Sequence, residues 1–178
     1  LLRLGRCKFD GRALIKTCAN GSSELMSNIS MSVVSMLYNI QLMKYAGENG
    51  VAAYGVLMYV NLVFQAVFIG YSVGTAPIIS YHHGAGNHGE LKGLLKKSLF
   101  LIGIFSLLML VAGQTLARPL SLLFAGYDES LLSITIRAFT IFSFSFLCSG
   151  MAIFGSSFFT ALGNGIISAL ISFLRTFV

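Results

Sequence analysis

A carboxylate stands at the head of a line of polar side chains in a long apolar segment, residues 24–44. At about 100° per residue, a helix puts five side chains of this segment on one stripe: Glu24, Asn28, Met31, Ser35 and Asn39. The branched apolar residues fall largely outside that stripe. Because a carboxylate is expensive to place in hydrocarbon, we expect Glu24 to face a bundle interior or a wet cavity. The stripe therefore predicts a polar pathway, in which Glu24 binds a cation or admits a ligand.

The same carboxylate has a simpler interpretation. Residues 20–23 read Asn-Gly-Ser-Ser, which is typical of the entry to a helix. Glu24 would then lie in the first turn, solvated at the membrane surface, where its charge complements the positive end of the helix dipole. The continuation of the stripe as far as Asn39 favours the pathway, and capping stays open as the alternative.

A second polar stripe follows on the next apolar segment, residues 51–73. Its polar side chains are spaced by seven, four and seven residues and share one face: Tyr54, Asn61, Gln65 and Ser72. Consecutive helices with a short link usually pack side by side, so we expect Asn61 and Gln65 to line the pathway of the first stripe. The alternative is hydrogen bonding between helices, a common use of Asn and Gln in membranes. Pro77 is expected to kink or end this helix near Ala76.

A third candidate is a cation near the carboxyl end of the chain. Asn164, Ser168, Ser172 and Arg175 share one face of the last apolar segment. If that helix starts near Gly165, Arg175 lies roughly 15 Å deep in a core of ~30 Å and needs an interior partner. If the helix starts earlier, near Phe158, Arg175 is an interfacial anchor instead.

The composition requires these side chains to be positioned by membrane helices. Hydrophobic residues make up 56% of the 178, charged residues only 10%, and the mean hydropathy is +0.82. Soluble domains carry about 25% charge. The fold class is therefore all-α, a polytopic transmembrane bundle. Residues 1–20 form a basic approach segment and 21–178 the transmembrane lobe, with spans at about 24–44, 51–73, 95–117, 131–157 and 165–178, the last one truncated.

The distribution of cations gives the orientation and excludes nucleic acid as a partner. The net charge is +6, but the cations sit in particular segments between helices. The segments before the first span and between the second and third are basic, whereas the links after the first and third are close to neutral. The positive-inside rule then places the amino terminus in the cytoplasm. The span at 95–117 is almost featureless and is expected to face lipid.

Several motifs resemble dinucleotide-binding or metal-binding sites, but the residues around them do not support these functions. Residues 84–89 match GxGxxG, but they follow a membrane helix rather than a strand, so we reject a dinucleotide site. His82, His83 and His88 lie in one loop without Cys or acidic partners at ligand spacing, so no metal site is predicted. An enzyme would need a constellation within the membrane, and none is visible. A structural subunit would not need to maintain polar stripes.

Four segments carry a resemblance to a known family: NGSSE (20–24), GENGVAAYGV (47–56), GYSVGTAPIISYHHGAGNHGELK (70–92) and FFTALGNGIISALISFLR (158–175). With them the chain resembles the second half of a multidrug and toxic compound extrusion (MATE) transporter, in its MepA-like bacterial branch. The resemblance implies one lobe, about helices seven to eleven, of a two-lobe, twelve-helix protein. A chain that begins without Met and stops in an apolar run is expected to be a fragment of it.

The resemblance also implies a function. Such a transporter sits in the bacterial inner membrane and exports drugs or small organic cations by alternating access, in exchange for Na⁺ or H⁺, without another cofactor. Its partners are the bilayer and the amino-terminal lobe. Other branches carry an acid in helix ten, whereas residues 131–157 contain none, so we expect the other lobe to hold the coupling acid. The rival function is a flippase for lipid-linked sugars, which favours a more cationic cavity; here the clear deep cation is Arg175.

Overall fold

The computed structural model describes residues 11–177, without the side chains of Ala19, Ser23 and Phe177. The first half of the predicted approach segment lies outside these residues. Five helices follow one another: α1 (Gly11–Gly84), α2 (His88–Ala125), α3 (Glu129–Ser143), α4 (Ser145–Ala161) and α5 (Gly165–Phe177). No strand occurs in the described part of the chain. The predicted all-α class is confirmed.

α1 is a helical hairpin rather than one straight rod. Its backbone leaves the helical region at Gly47 (φ 63°, ψ −157°), a conformation that residues with a Cβ rarely adopt. We call residues 11–46 the first arm and residues 48–84 the second arm. The arms run antiparallel, because Tyr38 of the first stacks on Tyr54 of the second, with ring centroids 5.7 Å apart. The two predicted polar stripes thus lie on neighbouring antiparallel helices.

The lengths and apolar character of the helices suit a bilayer. Within residues 11–177, α1 and α2 are each long and apolar enough to cross a membrane, and α3 with α4 would form a third span bent by 49°. Of the two predicted effects of Pro77, a kink or the end of the helix, the second does not occur, because the second arm continues through Pro77 to Gly84. Proline removes one backbone donor, and membrane helices tolerate that loss when the freed groups are satisfied by their surroundings.

α2 packs against the bundle through one seam of small side chains, while most of its large apolar side chains stay exposed, as expected for a helix that faces lipid. The buried residues of α2 recur mostly every fourth position: Ser98, Ile102, Ser106, Gly113, Ala117, Ser121 and Ala125. Small residues let helix backbones approach closely, which is the main route to packing where lipid is as apolar as the side chains. Hydropathy alone did not reveal this seam, because a Ser or Gly among leucines changes the average little.

Gly150 marks the tightest approach of α4 to its neighbours. A Cβ at Gly150 would lie 2.6 Å from the Phe68 ring and 2.7 Å from Ser106 Oγ. Both neighbours are buried, Phe68 in the aromatic core that also holds Phe154 and Phe158. The space for a side chain is therefore already filled.

We predict that Gly150→Ala lowers the free energy of unfolding by about 1–3 kcal/mol, because buried neighbours must shift to admit one methyl group. The matched control is Gly155→Ala on the same helix, where nothing lies within 4 Å of the added Cβ. Thermal unfolding of both variants in detergent measures the difference. An equal melting temperature for both would contradict the tight packing at Gly150.

Candidate functional site

A polar cavity of about 410 Å³ lies where four helical elements meet: the two arms of α1, α4 and α5. Its charged residues are Glu24 and Arg175. Its neutral polar residues are Ser27, Asn28, Gln65, Ser72, Ser156, Ser157, Thr160 and Ser172. Apolar side chains complete the wall, among them Met31 and Leu62. We refer to this space as the polar cavity.

The wall from α4 and α5 is a network of hydroxyl groups that bond to one another. Ser156 Oγ lies 2.7 Å from Ser172 Oγ and 2.9 Å from Ser168 Oγ, and Thr160 Oγ1 lies 2.6 Å from Ser168 Oγ. We call these four residues the hydroxyl cluster. The sequence builds it because each helix contributes two hydroxyls four residues apart, which puts them on one face. The cluster joins the two helices and satisfies its own polar groups.

The wall from the second arm carries polar groups without partners. The Gln65 side chain forms no hydrogen bond with any described residue. Ser72 is only 2% exposed, and its Oγ has no partner within residues 11–177. Buried polar groups are normally hydrogen-bonded, since leaving one unpaired costs about 1–3 kcal/mol. Unpaired groups beside a cavity indicate a site that water or a ligand completes.

The two charges of the cavity come from different helices and do not form a contact pair. Glu24 projects from the first arm, where it is exposed, and Arg175 projects from α5, where it is half-buried. Neither side chain makes a hydrogen bond or a contact ion pair with another described residue. Glu24 is nevertheless the acid whose charge acts on the Arg175 guanidinium. The cavity thus presents one acid and one base, each free to meet a ligand.

Comparison with known protein families identifies the family to which this chain belongs. A model of the family described as MatE matches residues 25–178, most of the chain. The chain belongs to the MatE family. No curated protein and no solved structure matches it. The MatE family comprises membrane transporters and flippases, and the family match together with the apolar helices makes this chain a membrane protein. The family match agrees with the resemblance carried by the sequence motifs.

The structure brings four of the predicted site residues of this MatE chain together and separates the others. Glu24, Asn28, Gln65 and Arg175 line the polar cavity. The amide of Asn28 donates to the backbone oxygen of Glu24 at 2.9 Å, so it is already engaged within its own helix. The cavity therefore draws on both predicted stripes and on the last helix.

The remaining predicted residues lie elsewhere on α1. Ser35 and Asn39 line an open groove of about 510 Å³ on the first arm, where the Asn39 amide donates to the Ser35 backbone oxygen at 2.9 Å. Tyr54 stacks on Tyr38. Asn61 is half-buried, and its Oδ1 has no partner in the described chain. The groove and the cavity share Asn28 and Met31, so the first stripe is continuous from one to the other.

Sequence reasoning missed part of the cavity wall. Ser27, Ser157 and Thr160 line the cavity but were not singled out. The available signal was the pairing of hydroxyls at a spacing of four on two consecutive helices, 156 with 160 and 168 with 172. That spacing was visible, but only the fold shows that the two pairs face each other.

The three histidines do not lie in one loop as predicted, because His82 and His83 belong to the last turn of α1 and His88 begins α2. His82 is half-buried and its ring contacts Tyr81 edge-on at 5.5 Å, while His83 and His88 are exposed. No group of three or more His, Cys, Asp or Glu side chains within residues 11–177 could hold a metal ion.

Hydrogen bonds among Asn49, Ser130 and Asp128 join the second arm to the start of α3 near Gly47, and we call these three residues the polar latch. Asp128 Oδ1 accepts hydrogen bonds from the hydroxyl and backbone N–H of Ser130, both at 2.8 Å, and from the N–H of Leu131 at 3.4 Å. The Asn49 amide donates to Ser130 Oγ at 2.8 Å. The hydrogen bond from the Ser130 hydroxyl is the largest of the contacts that lower the pKa of Asp128 below its usual value. The latch caps α3 and ties it to the second arm.

We predict that Asp128→Asn lowers the melting temperature at neutral pH by a few degrees, because charge-assisted hydrogen bonds at a helix start are stronger than neutral ones. A carboxyl whose pKa is lowered by folding stabilises the protein above its unfolded pKa, and this stabilisation fades as the pH falls through the folded pKa. The difference between wild type and variant should therefore shrink below about pH 4.

Thermal unfolding between neutral and acid pH measures this difference, with Glu129→Gln as the neighbouring control. A difference that stays constant across that range would contradict the role of the Asp128 charge.

Proposed function

We propose that this chain is part of a secondary active transporter that exports drugs or small organic cations by antiport with Na⁺ or H⁺. The observation that carries the proposal is the polar cavity between the helices, which is lined by the exposed acid Glu24, the half-buried Arg175 and polar groups without partners in the described chain. An ionisable residue at membrane depth marks a substrate or ion pathway by default, because its placement there is unfavourable without a function. Membership in the MatE family supports transport as the activity.

The Glu24 carboxylate gives a physical route to antiport. A carboxylate can hold a proton, a hard cation such as Na⁺, or the cationic group of a substrate, but one at a time. Binding of the coupling ion then displaces the substrate cation, and binding of the substrate displaces the ion. Competition at one acid couples the two movements without further machinery, provided the cavity opens to each side in turn.

The wider setting belongs to the same proposal. The chain would act in a bacterial inner membrane with its amino terminus in the cytoplasm, as the positions of its cations favour. It would pair with a second six-helix lobe of the same protein and belong to the MepA-like branch. Small organic cations and the lipid bilayer are the proposed partners.

One observation favours a second function. The guanidinium of Arg175 in the cavity would suit the phosphates of a lipid-linked sugar, as in a flippase. Glu24 in the same cavity counts against this alternative, because the acid cancels the positive charge that a phosphate-binding site needs. We therefore favour the antiporter.

We predict that Glu24→Gln in the full-length transporter reduces drug efflux by roughly tenfold while membrane expression stays normal. Loss of the exchangeable charge removes the coupling, and couplings of this kind are worth about 1–3 kcal/mol. Efflux of a fluorescent cation from cells measures the effect. Glu90→Gln, at an exposed position on α2, is the matched control. Helix capping is no longer an alternative role for Glu24, because α1 begins at Gly11 and has no acid in its first turn. Normal efflux by Glu24→Gln would show that this carboxylate takes no part in coupling.

We predict that a cysteine introduced by Gln65→Cys reacts with a water-soluble thiol reagent, because position 65 lines the polar cavity. A cysteine introduced by Val60→Cys, five residues earlier on the same arm, should not react, since Val60 is buried in an apolar cluster. The labelling is read by mass spectrometry in a background without the native cysteines. Equal labelling at both positions would refute the water-filled cavity.

A further inference from the structure

The balance of charge in the polar cavity indicates which ligands it selects. It is lined by one acid and one base, and neither is neutralised by a contact with the other or with a neighbour in the described chain. We propose that the cavity prefers zwitterionic ligands, with Glu24 meeting the positive group and Arg175 the negative group. This inference rests on the proposed transport function and narrows its drug substrates to those that carry a negative group as well as the cationic one.

Glu24 and Arg175 do not form a direct ion pair with each other. A direct ion pair would satisfy both charges and leave the cavity to neutral ligands. Here Glu24 and Arg175 line one cavity without direct contact. A ligand with two opposite charges can bridge such a gap and replace the missing contacts at both ends.

The hydroxyl cluster makes Arg175 available for this role. Ser172, one helical turn before Arg175, bonds to Ser156 on α4, and Thr176 donates to the Ser172 backbone oxygen at 2.9 Å. These hydroxyls are engaged with one another or with backbone, so they do not hold the guanidinium. α5 is thereby fixed in place while its cation stays unpaired within the described chain.

The charges also discriminate against ligands with a single charge. A monocation drawn to Glu24 meets the like charge of Arg175 in the same cavity, and a monoanion drawn to Arg175 meets that of Glu24. A zwitterion has neither conflict if it is oriented correctly. Gln65, which both donates and accepts, and a volume of about 410 Å³ suit a small drug-sized molecule with further polar groups.

Three xanthene dyes of closely related shape provide the test. Rhodamine 110 is a zwitterion, rhodamine 123 is its methyl ester and a monocation, and fluorescein is an anion. Binding of each dye to the purified full-length transporter is measured by fluorescence anisotropy. We expect wild type to bind rhodamine 110 about tenfold more tightly than either of the other two, a difference of roughly 1.4 kcal/mol.

Substitutions at the two charges should change the order of preference in opposite directions. Arg175→Leu should bind rhodamine 123 more tightly than rhodamine 110, and Glu24→Gln should gain affinity for fluorescein. Arg175→Lys keeps the charge and should keep the wild-type order, which distinguishes a charge effect from a folding defect. Arg137→Leu, at an exposed position on α3, is the matched control and should behave as wild type.

Two outcomes would overturn the inference. One is tighter binding of rhodamine 123 than of rhodamine 110 by wild type, and the other is an order of preference that Arg175→Leu leaves unchanged. If rhodamine 123 is nevertheless exported and Glu24→Gln abolishes that export, the transport function stands and only the zwitterion preference fails. If Glu24→Gln exports as wild type does, the proposed antiport itself fails.

Discussion

Hydrogen bonding between α4 and α5 through the hydroxyl cluster is the interaction on which the rest of the site depends. Inside a membrane the surrounding lipid is as apolar as the helix surfaces, so apolar burial does little to hold one helix against another. Close packing of small residues and hydrogen bonds between helices must do so instead. Ser156 is bonded to both Ser168 and Ser172, which sets the distance and rotation of α5. Arg175 lies one helical turn beyond Ser172, so the same hydrogen bonds also fix where Arg175 is placed.

The two walls of the polar cavity differ in how far their polar side chains are hydrogen-bonded within the protein. On the α4 and α5 wall, the hydroxyl cluster is satisfied internally and joins the two helices, while Arg175 makes no hydrogen bond or contact ion pair with a polar group of the described chain. The other side carries Gln65 and Ser72, whose polar groups have no partner in the described chain, and the Glu24 carboxylate. A bundle that needed polar side chains only to hold its helices together would pair all of them. Gln65 and Glu24 line the cavity, where a ligand can reach them, whereas the buried oxygens of Asn61, Ser106 and Ser121 also have no partner in the described chain but lie away from it.

Two features could be predicted from the sequence: the helical class, and the residues of both polar stripes that line the cavity. Both depend only on the spacing of residue types along a single helix. Glu24, Asn28 and Gln65 lie at the cavity for that reason. Ser35 and Asn39 share the stripe of Glu24 but lie further along it, in the open groove, because the second arm, α4 and α5 enclose only one end of the first arm. The seam of α2 and the facing hydroxyls of α4 and α5 depend on which helices meet, and periodicity along one helix carries no information about that.

Because the helix is broken at Gly47, a small rotation there would displace the far end of the first arm by a much larger distance. Glu24 lies 23 residues from Gly47 in the sequence, so at about 1.5 Å per residue it sits roughly 35 Å from the point of rotation. The latch of Asn49, Ser130 and Asp128 anchors the second arm close to that point. A rotation of about 5° at Gly47 would move the carboxylate by about 3 Å, the length of one hydrogen bond. A torsional change at a single glycine is thus magnified, over the length of one helix, into the difference between a made and a broken contact in the cavity.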